Sequence, residues 1–172
     1  DQLDRERGLG GNRLYYLAND IANNDARLWV WDGAAHTEIT PGAGWDRTTD
    51  SGQVSVAQLN DWLYTFNSSN HDPLCVQTNV PGTAFILTDW PAGDTCLALR
   101  SFREYLVAMN IMIVTGGPTY TNYPDLLRWS DAAPSNAPPP FWVPAATNQA
   151  GNAFLGTGGG AILDGLALRD RF

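Results

Sequence analysis

Two histidines, two cysteines and no lysine leave few groups among these 172 residues that could move a proton, attack a carbonyl or hold a metal. Neither His36 nor His71 stands beside a serine or cysteine in a nucleophile motif such as G-x-S-x-G. His71-Asp72-Pro73 reads as turn chemistry, and turn or surface histidines are the expected state where no motif supports another. Cys75 and Cys96 are too few for a disulfide framework and lack metal-ligand spacing, which points to a reducing compartment at synthesis. Outside a cell they could still pair. The run Gly156 to Gly160 follows Ala153-Phe154-Leu155 and superficially resembles a nucleotide loop. Without lysine it is no Walker loop, and only twelve residues follow it, too few for the acidic residue a dinucleotide fingerprint places about 20 residues on. A flexible or tight-turn loop is expected there. Val114-Thr115-Gly116-Gly117-Pro118 could start a helix, but Tyr120, Asn122, Tyr123 and Pro124 argue for a loop that returns to a strand at Leu126. Asp164 and Asp170 flank one strand candidate. Glycosidase chemistry would also need a cleft and a raised pKa, so a solvated pair is expected. On this reading there is no catalytic residue, no cofactor-binding residue and no metal ligand.

The seven tryptophans, Trp29, Trp31, Trp45, Trp62, Trp90, Trp129 and Trp142, carry the other candidate chemistry, because an exposed indole face stacks on a pyranose ring. Packing competes with that reading. Each aromatic side chain buries roughly 150 to 250 Å², and small sheets use them at their contacts. Burial is expected for most of the seven. Asn67-Ser68-Ser69 matches a glycosylation triplet, a pattern too common to carry weight.

The elements that would position these groups are short. Hydrophobic residues make up 44% of the chain, enough for one ordinary core, and no stretch approaches the roughly 20 apolar residues of a membrane span. A start at Asp1-Gln2-Leu3-Asp4 is unlike a secretory signal. Seventeen glycines and eleven prolines cut the apolar runs to strand length. Arg27 to Trp31 alternates and stops at Asp32-Gly33, the pattern of a half-buried strand and tight turn. Arg13 to Leu17 is expected to pair with it, although Leu17, Ile21 and Leu28 would also suit a short helix. Phe85 to Leu87 is a further strand before the Thr88-Asp89 turn. Pro134 to Pro144, with Pro138, Pro139 and Pro140 consecutive, cannot donate ladder bonds and is expected to be an exposed connection.

Two echoes run through the chain. Trp62 to Phe66 closes on Asn67 and Tyr105 to Met109 closes on Asn110, 43 residues on. Each is followed by another strand candidate, Leu74 to Gln77 and Leu126 to Trp129. Leu97-Ala98-Leu99-Arg100 recurs as Leu166-Ala167-Leu168-Arg169. Several short strands at a period of about 40 to 50 residues are the pattern of β-propeller blades. The expected fold is all-β: antiparallel sheets of three or four strands, incomplete β-propeller blades with long loops, within one domain or part of one over residues 1–172. The chain closes on the apolar block ending at Phe172 and is expected to be a fragment. Its terminal blocks, Leu14 to Leu17 and Leu166 to Phe172, are expected in contacts or on an exposed patch, because a repeat unit leaves a face for the next to cover.

From Asn67 onward an ordered series of words carries a resemblance: Asp72-Pro73, Trp90-Pro91-Ala92, Tyr105-Leu106-Val107-Ala108, Tyr123-Pro124, Arg128-Trp129-Ser130-Asp131, Trp142, and Asp164-Gly165-Leu166 with Leu168-Arg169-Asp170. In that order they resemble the β-propeller virion proteins of short-tailed bacteriophages, the tail nozzle, tail tubular or tail hub components. The resemblance covers about two thirds of the chain. It implies a virion structural protein of the tail, assembled in the host cytoplasm as a ring of copies beside adaptor or portal proteins. DNA would pass through its channel without being held, and there would be no enzymatic activity or membrane insertion. A net charge of −8 suits such a channel wall, and suits plain solubility equally. Two other classes compete: a lectin-like β-domain that binds carbohydrate through exposed tryptophan, and a propeller-type hydrolase with carboxylate catalysts.

Overall fold

The computed structural model describes residues 4–5, 12–20, 22, 25–41, 45–46, 54–60, 63–68, 71–77, 84–116, 119–135, 137–156 and 160–165. Those residues contain strands and no helix. The strands are β1 (Asp4–Arg5), β2 (Asn12–Asp20), β3 (Asp25–Trp31), β4 (His36–Glu38), β5 (Trp45–Asp46), β6 (Val54–Leu59), β7 (Leu63–Ser68), β8 (His71–Gln77), β9 (Ala84–Ile86), β10 (Thr95–Phe102), β11 (Tyr105–Gly116), β12 (Thr119–Trp129) and β13 (Gly151–Phe154). They form three antiparallel sheets. The second and third are four-stranded meanders, β6-β7-β8-β9 and β10-β11-β12-β13, the form of a propeller blade. The first has five strands, one more than expected, because β4 and β5 pair with opposite ends of β3. The all-β expectation stands.

Local chemistry explains the turns. After β3, the Asp32 carboxylate accepts the N–H groups of Ala34 and Ala35, both at 2.9 Å, while Gly33 takes a φ of 99°. This is the Asp-Gly turn read from the sequence, and Arg13 to Leu17 lies in strand β2 rather than in a helix. Leu63 to Phe66 and Tyr105 to Met109 belong to the second strands of successive sheets, and Leu74 to Gln77 and Leu126 to Trp129 to the third strands. The 43-residue echo therefore marks equivalent strands, although residues 43 apart face opposite ways: Leu63 packs toward the third sheet and Leu106 toward the second.

Two expectations are corrected. His71-Asp72-Pro73 is not a turn but the start of β8, and Tyr120 to Pro124 is not a loop but part of β12. Both stretches held a proline that argued against a central strand, and the same device accommodates it in each. Between Phe66↔Leu74 and Ser68↔His71, Asn67 stands opposite Asp72 and Pro73. Between Met109↔Leu127 and Ile111↔Tyr123, Asn110 stands opposite three residues that begin with Pro124. A bulge takes the proline out of the ladder, so its missing N–H forfeits no bond. The proline carbonyls still serve: that of Pro73 accepts from Leu87 N–H at 2.9 Å, and that of Pro124 from Ile162 N–H at 2.8 Å.

The sheets stack in chain order. Leu28, Val30 and Ile39 of the first sheet region meet Phe66, Leu74, Val76 and Ala84 of the second in one buried cluster. A larger cluster joins Ala57, Leu59, Leu63 and Cys75 of the second sheet to Leu99, Leu106, Ala108, Ile111 and Leu126 of the third. A third cluster, Ala98, Val107 and Met109 with Leu127 and Trp129, lies on the far side of the third sheet. Asn110 sorts β11 between the last two. Up to that residue Leu106 and Ala108 face inward and Val107 and Met109 outward; beyond it Ile111 and Ile113 face inward. A φ of 55° at Asn110, within the bulge, inverts the alternation.

The proline-rich connection is also corrected, because it is not simply exposed. Trp142 is fully buried, Pro139 is buried, and Asp131 N–H donates to the Phe141 carbonyl at 2.8 Å. Its backbone forms no ladder, as expected, but it folds back to place an indole in the core.

Candidate functional site

The residues singled out for chemistry do not converge. His36 lies on the first sheet, where its Nδ1 is 2.7 Å from the Tyr16 hydroxyl and its ring stacks on Trp31 at 6.2 Å. His71 opens β8 in the second sheet. Asp164 is paired with Arg100 at 2.8 Å, and Asp170 lies outside the described residues. Gly156, at a φ of 61°, ends the strand region after β13, while 157–159 lie outside the described residues. Cys75 and Cys96 are buried thiols rather than half-cystines. Burial pushes both thiols up, and the Arg128 charge and a Met109 backbone hydrogen bond only partly offset it at Cys96. They behave as small apolar groups. Among the described residues no three His, Cys, Asp or Glu side chains gather as a metal site.

The most developed polar centre was invisible in the sequence. Arg128 Nη1 donates to Asp94 at 2.7 Å with both side chains buried, the other Asp94 oxygen accepts Val114 N–H at 3.0 Å, and Trp90 Nε1 donates to the Asp94 carbonyl at 2.7 Å. Asp72 feels this centre. Burial raises its pKa and the Asp94 charge adds to that, against a Gly93 N–H and the nearby His71. The acceptors and donors of the centre are directed at one another, which is the arrangement of a structural brace.

Arg128-Trp129-Ser130-Asp131 is where the sequence word and the structure meet. Arg128 makes the buried ion pair. Trp129 turns to the opposite face, its Nε1 donating to the Gln149 carbonyl at 2.8 Å, and its ring leaves no space for a Cβ at Gly151, which would sit 2.2 Å from it. Ser130 exchanges bonds with the backbone of Leu106, and Asp131 accepts N–H groups from Ala132 and Gln149. The word locks the end of β12 to its neighbours.

Two outward faces remain. On the first sheet the cross-strand rows are Leu14, Trp31 and His36, then Tyr16, Trp29 and Glu38, with the Arg27–Glu38 pair at 2.9 Å beside them. Leu14 is 47% exposed, Tyr15 and Leu17 of the same block pack against the cluster shared with the second sheet, and the other terminal block, Leu166 to Phe172, lies outside the described residues. On the third sheet, Phe102, Tyr105, Val107, Leu127, Trp129 and Gln149 line a cavity of about 360 Å³. The tryptophans divide accordingly. Trp90 and Trp142 are buried edge to face at 4.7 Å, whereas Trp29, Trp31 and Trp129 are half-buried on the outward faces. The side chains of Trp45 and Trp62 lie outside the described residues.

No model of a known protein family matches the chain, and no curated protein matches it. What the geometry offers is contact surface: an aromatic and polar face at one end of the stack and an apolar hollow at the other.

Proposed function

We propose that this protein is a structural component of a short phage tail, a run of blade-like sheets within a nozzle or hub ring that lines or supports the channel for the genome. The observation that carries this reading is the stack itself. Three small antiparallel sheets follow one another in chain order, each covering a face of the last, and each end of the stack presents a further face. Such a stack would suit a piece of an assembly, and this supports the reading that the ordered words resembling the tail proteins suggest. The partners would be copies of the chain and neighbouring tail, adaptor or portal proteins, with DNA as a passing polymer that an acidic wall does not hold. Mass spectrometry of purified particles from the source tests the reading. The chain, or a longer form of it, is expected as a tail component in multiple copies, and its absence from infectious particles would overturn the proposal.

One observation favours a second reading. Tyr16, Trp29 and Trp31 share a face with His36, Glu38 and Arg27, the mixture of ring faces and planar polar groups that stacks and hydrogen-bonds a sugar. Titration with simple sugars should then shift tryptophan fluorescence. A purely structural role predicts no shift.

A further inference from the structure

The third sheet ends on a bare edge at β13. Leu155 N–H donates to the Asp125 carbonyl at 3.0 Å, and the register runs on without a shift through Phe154↔Leu126, Ala153↔Leu127, Asn152↔Arg128 and Gly151↔Trp129. In an antiparallel ladder the residues that bond to a given neighbour alternate. Gly151, Ala153 and Leu155 therefore turn their backbone groups to β12, while Asn152 and Phe154 turn theirs to the edge. Among the described residues nothing bonds to those outward groups. The later chain does not close the edge either. Residues 160–165 return as a strap over the outer face, where Ile162 N–H bonds to the Pro124 carbonyl, the Ile162 carbonyl accepts Asn110 Nδ2 at 3.1 Å, and Asp164 pairs with Arg100.

Apart from its shortness, β13 has none of the devices that blunt an open edge. Gly151 to Leu155 carry no charge, no proline and no bulge, and Phe154 and Leu155 are 59% and 50% exposed. In a chain of net charge −8, such an uncharged stretch is a place where two copies can meet without like charges opposed.

The outward pattern is self-complementary. About a two-fold axis at Ala153, Asn152 of each copy lies opposite Phe154 of the other, and these two pairs exchange four N–H···O=C bonds. Ala153 meets its counterpart at the close, non-hydrogen-bonded position, where a methyl group leaves room. Leu155 comes opposite Gly151 of the other copy, beside the Trp129 ring that already fills the space of a Cβ there. From this register we infer that β13 pairs antiparallel with β13 of a second copy of this chain, which joins two four-stranded sheets into one. The inference does not depend on a role in a phage tail. A two-fold contact closes at two copies and leaves both outward faces of the stack to other partners.

Sedimentation and disulfide trapping on the full 172-residue chain test it. The chain should sediment as a dimer that dissociates on dilution. Asn152→Pro removes an N–H that the single copy does not use, so it should give a monomer with an unchanged circular dichroism spectrum. Ala153→Cys should trap a covalent dimer under mild oxidation, because residues at a non-hydrogen-bonded pair stand about 4.5 Å apart at Cα, within the roughly 4.4–6.8 Å of a disulfide. Asn152→Cys, which would lie opposite Phe154, should not, and the buried Cys75 and Cys96 should leave the unsubstituted chain without a cross-link. A chain that stays monomeric up to its solubility limit overturns the inference. So does a dimer that survives Asn152→Pro, that fails to cross-link at 153, or that cross-links equally at 152 and 153, since its contact then lies elsewhere. Should Asn152→Pro fold poorly, the two thiol variants decide by themselves.

Discussion

The inner and outer faces of the third sheet are made by alternate residues of the same strands, with different results. Inward, Leu99, Leu106, Ala108 and Ile111 are fully buried; outward, Ala98, Val107 and Met109 are also buried, but Phe102, Leu127 and Trp129 remain half-buried around a hollow. Their own hydrophobicity does not separate the two sets. What differs is the supply of covering groups from connections: Leu87 and Trp90 from the link between sheets, and Trp142 from the proline-rich loop, complete the inner cluster. On the outer side, among the described residues, Ile162 is the partly buried apolar group contributed by a connection. Burial in this stack is decided by where the loops return.

Removing the inner brace should show the largest effect. Arg128→Ala would leave Asp94 as a buried carboxylate facing only the Val114 N–H, and a broken buried pair costs about 3–5 kcal/mol. Thermal or urea unfolding measures it. A loss under about 1 kcal/mol, as for a surface pair, would mean that the inner face tolerates an uncompensated charge. The comparison becomes sharper with two leucines on adjacent strands. Leu106→Ala, on the inner face, should cost about 2–5 kcal/mol as a cavity opens in close-packed surroundings. Leu127→Ala, on the outer face, should cost about 1 kcal/mol, since a half-buried side chain forfeits only part of the roughly 1.5–3 kcal/mol that full burial contributes. Equal losses would show that the outer face is closed in solution.

The strand pattern behind this contrast was largely legible. Asp32-Gly33 announced its turn, and the runs closing on Asn67 and Asn110 announced equivalent second strands, because side-chain alternation and turn chemistry are local. Pro73 and Pro124 were misread for a physical reason: a proline in a bulge and a proline in a loop look alike until the partner strand is known. The Asp94–Arg128 brace was illegible because it joins residues 34 apart through tertiary structure alone. Trp142 was legible as an aromatic to be buried, but not as one carried inward by a loop of prolines.

Asn110 offers a smaller way to break the comparison, since it assigns residues to the two faces. Its left-handed backbone suits Asn and disfavours most side chains, so Asn110→Ala should cost about 1–2 kcal/mol, together with the bond to Ile162. Asn110→Gly keeps the conformation and loses only the side-chain bond, so it should be the milder variant in the same unfolding experiment. If Ala and Gly were equivalent, the backbone inversion would not be what sorts β11.

The smallest effect belongs to the strap over the outer face. Arg100 and Asp164 form an exposed pair, for which solvent screening limits the coupling to about 0.2–1 kcal/mol. The Asp164 pKa is subject to opposing influences. Partial burial pushes it up, but the Arg100 hydrogen bond, the Gly165 N–H and the Arg100 charge together bring it below the ordinary aspartate value. A depressed carboxylate adds stability that is complete above its unfolded pKa, about 3.9, and is lost as pH falls from there through the folded value. A double-mutant cycle of Arg100→Gln and Asp164→Asn, run at neutral pH, at low pH and with added salt, isolates this coupling from the bond Arg100 also makes to Val56. The coupling should be present at pH 7, shrink below about pH 4 and weaken with salt. A coupling near zero at pH 7 would mean that the strap is held by Ile162 and the Asn110 bond alone, whereas the inner face keeps the buried Asp94–Arg128 pair beside its packing.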